Sequence, residues 1–194
     1  MERFFTFWRK YVTLNWDDKQ FIRQHARVLT YSKNEYYIMK GEVKLRWCFV
    51  LEGTVAGLDI PPNTQETIYW VSTANDYFVG TKHPFSKRSN QLAIRFLENS
   101  SILEIPIFHL QDAQRTRPAF AELLHVLKQH KINQRTQLLK IMKMKPHQRF
   151  DVSMQYLPKQ IHPLTMQQRL RFLNINKRTY YRSLMNYLRK NKQQ

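Results

Sequence analysis

Cysteine occurs once in this 194-residue chain, glycine four times, and acidic residues number 14 against 32 lysines and arginines. The single cysteine, Cys48, excludes an intrachain disulfide and a cysteine-ligated iron–sulfur cluster within one chain. It sits in Arg46-Trp47-Cys48-Phe49-Val50-Leu51, an apolar setting that marks a buried core thiol rather than a reactive one. The four glycines form no G-x-G-x-x-G and no P-loop to cradle a phosphate. The seven histidines form no H-E-x-x-H and no Cys/His set, and His125 and His130, at i and i+5, are poorly placed to ligate from one helix face. No Ser/His/Asp arrangement carries a nucleophile elbow. No apolar run approaches the ~20 residues needed to cross a bilayer. The start, Met1 to Trp8, lacks a signal-peptide apolar region and a small-residue cleavage site. These absences predict a cytoplasmic protein that is not an enzyme, binds no metal and does not enter a membrane.

What is present is a core and a field. At 42% hydrophobic and 13% aromatic, the chain can bury a substantial core. The shortage of acids is sharpest at the end. From Lys140 onward there are thirteen lysines and arginines and a single acid, Asp151, a net +12 out of a formal +18. Such a field attracts polyanions and gains free energy by releasing their counterions. Nucleic acid is therefore the first partner to consider, with a solvated basic surface as the alternative.

Three textures follow one another along the chain. Residues 1 to about 26 have the helical period, with Phe4, Phe7, Trp8, Tyr11 and Val12 on one face and a second helix starting at Asn15 or Asp17. From 27 to 106 the period shortens to strands at Arg27–Tyr31, Glu35–Lys40, Trp47–Leu51, Gly53–Ile60, Glu66–Val71, Gln91–Leu97 and Ser101–Ile105. Turns fall at Lys33-Asn34, Lys40-Gly41-Glu42, Glu52-Gly53, Pro61-Pro62-Asn63 and Asn75-Asp76, a pattern that predicts a sandwich, roll or barrel. A short helix over 107–114 comes next. Pro118 then opens a long one running toward Met144, which Pro146 would end. Phe120, Leu124, Leu127, Lys131, Gln134, Leu138 and Ile141 alternate at four and three residues, which predicts a dimer seam with two polar positions. A helix packed on its own domain is the alternative.

The segment Thr165 to Leu188 reads as a helix-turn-helix. Thr165 caps a helix ending near Leu173, Asn174 takes the left-handed conformation of a tight turn, and Asn176 caps the second helix. Tyr180, Leu184 and Leu188 form its apolar face at i, i+4 and i+8. Lys177, Arg178, Tyr181 and Arg182 point elsewhere, giving the basic N-terminal half that a major groove accepts.

Taken together, the chain resembles the Crp/Fnr family of bacterial transcription regulators. The resemblance rests on Lys40-Gly41-Glu42 followed by Phe49 to Val55, on Tyr77-Phe78-Val79-Gly80 followed by Ile94 to Ile105, and on the helix-turn-helix. It is most similar to the short, divergent regulators of this type found in Bacteroidetes. The resemblance implies an α+β fold: an N-terminal antiparallel β-roll like a cyclic-nucleotide-binding domain with its N-terminal helices (1–117), a long connecting and dimerisation helix (118–145) and a C-terminal winged helix-turn-helix (146–194). Since the chain stops at Gln194, any wing would precede the motif, as a vestige within Asp151 to Pro163. Lys177, Arg178 and Arg182 match positions that reach base edges and nearby phosphates, and Thr179 a phosphate-contacting position. Tyr181 would add a base or sugar contact, and Arg171 and Lys190 would hold phosphates. The implied partners are double-stranded DNA with a near-palindromic operator, a second copy of the chain and RNA polymerase.

The sequence also departs from the family. Arg169 stands where an aliphatic residue is usual, Leu170 where a small one is, and Asn174 replaces the turn glycine. In the phosphate-binding cassette Thr81 follows Gly80 where relatives that bind cyclic AMP have a glutamate, and the arginine position falls near Asn90 or Gln91. Gly80, Thr81, Arg88, Asn90 and Gln91 are the candidate ligand residues, although Lys87 and Arg88 read more simply as solvated loop charges. Without a fixed arginine a buried cyclic phosphate lacks its charge partner, so the chain is expected not to respond to cyclic AMP. No cofactor is predicted, and any effector is an unidentified small molecule. The sequence leaves two rivals open: a ligand-sensing or protein-interaction module whose roll has lost DNA reading, and a sequence-indifferent binder driven by charge.

Overall fold

The computed structural model describes residues 1–62 and 65–191. Asn63 of the Pro61-Pro62-Asn63 turn and Lys192 of the basic tail therefore lie outside the described residues. Two short helices lead, α1 (Glu2–Trp8) and α2 (Trp16–His25). Asn15 starts α2 with a reciprocal capping box, its side chain accepting from the Asp18 amide at 2.7 Å while Asp18 accepts from the Asn15 amide at 3.3 Å. Eight strands follow: β1 (Arg27–Tyr31), β2 (Tyr36–Ile38), β3 (Arg46–Glu52), β4 (Thr54–Asp59), β5 (Thr67–Thr73), β6 (Tyr77–Val79), β7 (Ala93–Phe96) and β8 (Ser100–Pro106). They pair antiparallel in two sheets, ordered β1-β8-β3-β6 and β2-β7-β4-β5. The expected turns take their shape from residues that tolerate positive φ: Asn34 (69°), Asn75 (69°), Gly41 (90°) and Gly53 (94°). At Gly53 a side chain is also barred by space, since an added Cβ would meet the Ser100 Cα at 2.7 Å.

Strands β3 and β4, inside their sheets, are covered on both faces, which is why they read as unbroken apolar runs rather than as alternations. Cys48, Val50, Phe78 and Ile102 of one sheet meet Tyr37, Val55, Ile94 and Phe96 of the other between the layers. The opposite face of β3, with Trp47, Phe49 and Leu51, packs under α1, α2, α3 (Ile107–Thr116) and the first half of α4 (Pro118–Met142). The outer face of the second sheet, with Ala56, Leu58, Ile68 and Val71, is covered by the C-terminal helices through Phe150, Ile161, Phe172 and Leu173. Cys48 is fully buried, its Sγ donating to the Tyr37 hydroxyl at 3.1 Å, and burial pushes its thiol pKa up, away from reactivity.

The structure corrects four expectations. β6 was not anticipated, because three residues embedded in turns show no period. Pro146 does not end the long helix, which stops at Met142; it is instead the first residue of α5 (Pro146–Tyr156). Where a vestigial wing was expected, in Asp151 to Pro163, the chain is helical through α5 and α6 (Pro158–Ile161), and among the described residues no strand follows Pro106.

The fourth correction concerns the seam on α4, which faces its own protomer. Phe120 and Leu127 are spent in the core beneath α1 and α2, and Ile141 in the core beneath the second sheet. Leu124 and Leu138 pack against those same cores, and Lys131 is bonded to Asp76. Gln134 lies between them, partly buried. Phe120, Leu127 and Ile141 are therefore closed to a second copy, whereas Leu124, Lys131, Gln134 and Leu138 are only partly buried and keep some surface open.

Candidate nucleic-acid interface

The helix-turn-helix is built from α7 (Met166–Leu173) and α8 (Lys177–Asn191). Thr165 opens α7 with a capping box, accepting from the Gln168 amide at 3.4 Å while Gln168 accepts from the Thr165 amide at 2.8 Å. Asn174 closes α7 in the left-handed conformation (φ 48°, ψ 57°), the asparagine alternative to glycine. Asn176 then caps α8 by accepting from the Thr179 amide at 2.8 Å.

Two arginines that carry no recognisable signal hold this unit together. The Arg149 guanidinium, from α5, donates to the carbonyls of Leu173 (3.1 Å) and Asn174 (2.9 Å) in the turn, and to those of Met142 (3.0 Å) and Met144 (3.2 Å) at the end of α4. Arg169, the residue that departs from the family pattern, donates to the carbonyls of Ile161 and His162, both at 3.2 Å, and to the Tyr180 hydroxyl at 3.0 Å. A cation there joins α6, α7 and α8, so the departure is structural.

The buried face of α8 consists of Tyr180, Ser183, Leu184 and Tyr187, with the Tyr180 ring edge-on to Phe150 at 4.9 Å. Leu188, expected on that face, is 44% exposed. At 3.6 residues per turn the opposite face presents Arg178, Tyr181, Arg182, Met185 and Arg189, all exposed, with Lys177 at its N-terminal edge. Arg189, seven residues after Arg182, extends the face and was missed because its charge alone does not show its direction. Thr179 is only partly exposed. The ion pairs of this region involve other cations: Lys190 with Asp151, and Arg171 with Glu66. Arg171 is thus a correction. It was expected to hold a phosphate, but its guanidinium is spent on a carboxylate of the roll, which Arg95 also grips through two bonds of 2.8 and 2.9 Å.

The candidate ligand residues are not gathered into one site. Thr81 and Asn90 line a cavity of about 680 Å³ between the roll and α4, whereas Gly80, Arg88 and Gln91 do not. Thr81 is buried and donates to the His83 carbonyl at 2.9 Å. Gly80 answers a backbone need, since a Cβ there would lie 2.3 Å from the Lys44 carbonyl oxygen. Arg88 and Gln91 face solvent.

No protein-family model and no curated protein matches this sequence. Solved structures do match its fold. FixK2 from Bradyrhizobium japonicum superposes with a TM-score of 0.71 at 14% identity, over 86% of each chain. The c-di-GMP responsive global regulator CLP from Xanthomonas campestris gives 0.67 at 14% identity, over 89% of this chain and 91% of that one. A cyclic nucleotide-binding domain containing protein from Listeria monocytogenes gives 0.71 at 14% identity, over 87% and 84%. At such identities the likeness establishes the fold alone, an antiparallel β-roll with a helical C-terminal part. Among the described residues no helix is long and apolar enough to cross a membrane.

Proposed function

We propose that this chain is a sequence-specific DNA-binding transcription regulator of Crp/Fnr type, acting as a homodimer on a near-palindromic operator. The observation that carries the reading is the outward face of α8. Its exposed cations stand on a helix whose N-terminus is held by Asn176 and whose opposite face is fixed in a core. A helix presented this way enters a major groove with its N-terminal half against base edges. Lys177, Arg178 and Arg182 read bases, Tyr181 adds a base or sugar contact, and Arg189 continues the same track. Thr179 holds a phosphate. Lys190 does so too, because an exposed ion pair such as its contact with Asp151 is worth little and exchanges readily. Two copies related by a two-fold axis place their reading helices about 34 Å apart, one DNA turn.

Selection of genomic fragments by the purified protein at near-physiological salt, with sequencing of the retained DNA, tests this. An enriched near-palindrome supports it. Retained DNA without a motif would leave charge-driven binding, and no retained DNA would favour a module that does not read DNA. Arg182→Ala is expected to weaken operator binding by about tenfold or more, the scale of one bidentate base contact, with a much smaller loss on non-specific DNA. Equal losses on both would remove Arg182 from base reading.

The same reading makes the protein independent of cyclic AMP. The cassette offers Thr81 in place of a carboxylate, and Arg88, its nearest arginine, is not among the residues that line the cavity. Titration calorimetry with cyclic AMP is expected to show no saturable heat; tight stoichiometric binding would refute this.

A further inference from the structure

Two histidines meet where the helical cover of the roll is joined. His25 is the last residue of α2, and His109 lies in the first turn of α3. Their ring centroids stand 3.8 Å apart, with the planes tilted by 34°. Each is flanked by an aromatic ring of its own helix, Phe21 at 4.6 Å from His25 and Phe108 at 4.1 Å from His109. Both imidazoles are only partly exposed. The charges around them come from three helices. Arg117, the residue before α4, lays its guanidinium over the Phe21 ring at 4.9 Å and pairs with the buried Asp18 of α2 at 3.6 Å. Asp112 stands exposed, one turn after His109 on α3. Arg23, two residues before His25, is turned to Glu2 and to the Phe5 ring of α1. Burial, then the charges of His109 and Arg117, hold the His25 pKa below its ordinary value, and Asp112 opposes them without outweighing them.

Neutral imidazoles at this distance pack as other flat rings do. Two imidazolium ions at the same distance repel, in a partly buried place where solvent screens them poorly. The carbonyl end of α2 and Asp112 both favour one proton on the pair. A second proton has no such support, because Asp18, the other acid of the joint among the described residues, is spent on Arg117. We propose that the His25–His109 pair is an acid-sensitive catch, which holds α2 against α3 while it carries at most one proton and releases them when it takes up a second. A histidine depressed on folding contributes stability that is complete above its unfolded pKa and is lost as pH falls through the folded one, so the catch weakens in acid, below about pH 6.5. The joint is also the root of the long helix. Arg117 lies in it, and Phe120 of α4 packs edge-on to Phe21 with centroids 5.5 Å apart, so release frees the Pro118 end of α4. The catch does not depend on whether α8 reads DNA, so its test and the operator selection fail separately.

The test is amide hydrogen exchange of the full chain at about pH 7.5 and about pH 5.5, corrected for intrinsic rates, together with an NMR titration of the imidazole Cε1–H signals. The unmodified protein is compared with His109→Gln, which keeps a polar side chain at a partly exposed position but cannot take up a proton. In the unmodified protein, exchange across α2 and α3 is expected to quicken about tenfold in acid relative to β3 and β8, the scale of a one-unit pKa difference. In His109→Gln that acid response is expected to vanish, and the His25 signal to titrate at a higher pH than in the unmodified chain. The reciprocal His25→Gln variant is expected to abolish the response in the same way and serves in its place if His109→Gln does not fold. Equal relative protection of α2 and α3 at both pH values in the unmodified chain would overturn the proposal. So would an acid response that survives either substitution, or a His25 midpoint that His109→Gln leaves in place.

Discussion

Three arginines near the C-terminus are bonded inside the fold, and their partners decide what each does. Arg149 and Arg169 donate to carbonyls that helix ends would otherwise leave open. Each such bond carries a full charge, and the planar fork lets one side chain serve several acceptors. Replacing Arg149 by Met leaves four carbonyls without that donor and is expected to cost about 3 kcal/mol, allowing for water on the exposed side. A urea midpoint unchanged from the unmodified protein would show that the clamp is ornamental. Thr165 and Asn176 were legible in the sequence because each cap bonds the backbone amide three residues on, and Asn174 because asparagine tolerates the left-handed conformation. Arg149, Arg169 and Arg171 were legible only as charge. Their partners are carbonyls up to 25 residues off, or a glutamate 105 residues off, and nothing local marks them.

At the scale of elements, α4 shows why a periodic pattern is an ambiguous sign. An apolar repeat at four and three residues marks a helix that packs on something, whether a second copy or its own protomer. Here the repeat through Phe120, Leu127 and Ile141 is inward. A weaker stripe, Gln129, Ile132, Thr136 and Leu139, has the same spacing and is exposed, with Leu139 63% accessible. For dimerisation through α4, this stripe is the most exposed apolar surface the helix offers. Ile132→Glu with Leu139→Glu is expected to convert a dimer to a single 23.6 kDa chain without loss of helix content, as read by sedimentation velocity and circular dichroism. A variant that sediments as the dimer would move the interface elsewhere. Seven of the strands were visible from turn chemistry and β-branched or aromatic runs, whereas β6 was hidden by its brevity.

Across the whole molecule, the helix-turn-helix is seated on the roll. Apolar side chains of β4 and β5 share one core with Phe150, Phe172 and Tyr180, and Glu66 ties the two parts by bonding both Arg95 and Arg171. Burial by itself would raise the Glu66 pKa, but the bonds and charges of Arg95 and Arg171 outweigh it and hold the carboxyl below its ordinary value. A carboxylate depressed on folding stabilises fully above its unfolded pKa, and that contribution is lost as pH falls through the folded one. Glu66→Gln is therefore expected to lower stability by about 2 kcal/mol at neutral pH, with the gap to the unmodified protein closing as pH drops below the glutamate range. A gap independent of pH would mean that packing, not charge, holds the parts together. The Arg149 clamp has a mechanical consequence at this scale. The 25 residues of α4 span about 37 Å, so a tilt of about 5° at the Pro118 end carries the Met142 end by roughly 3 Å. Arg149 bonds that end directly to the turn before α8, while binding constellations demand placement within about 0.5 Å. The long helix is thus a lever arm with the exposed basic face of α8 as its load, and on the proposed reading a deflection too small to disturb the roll would move that face out of register with the bases.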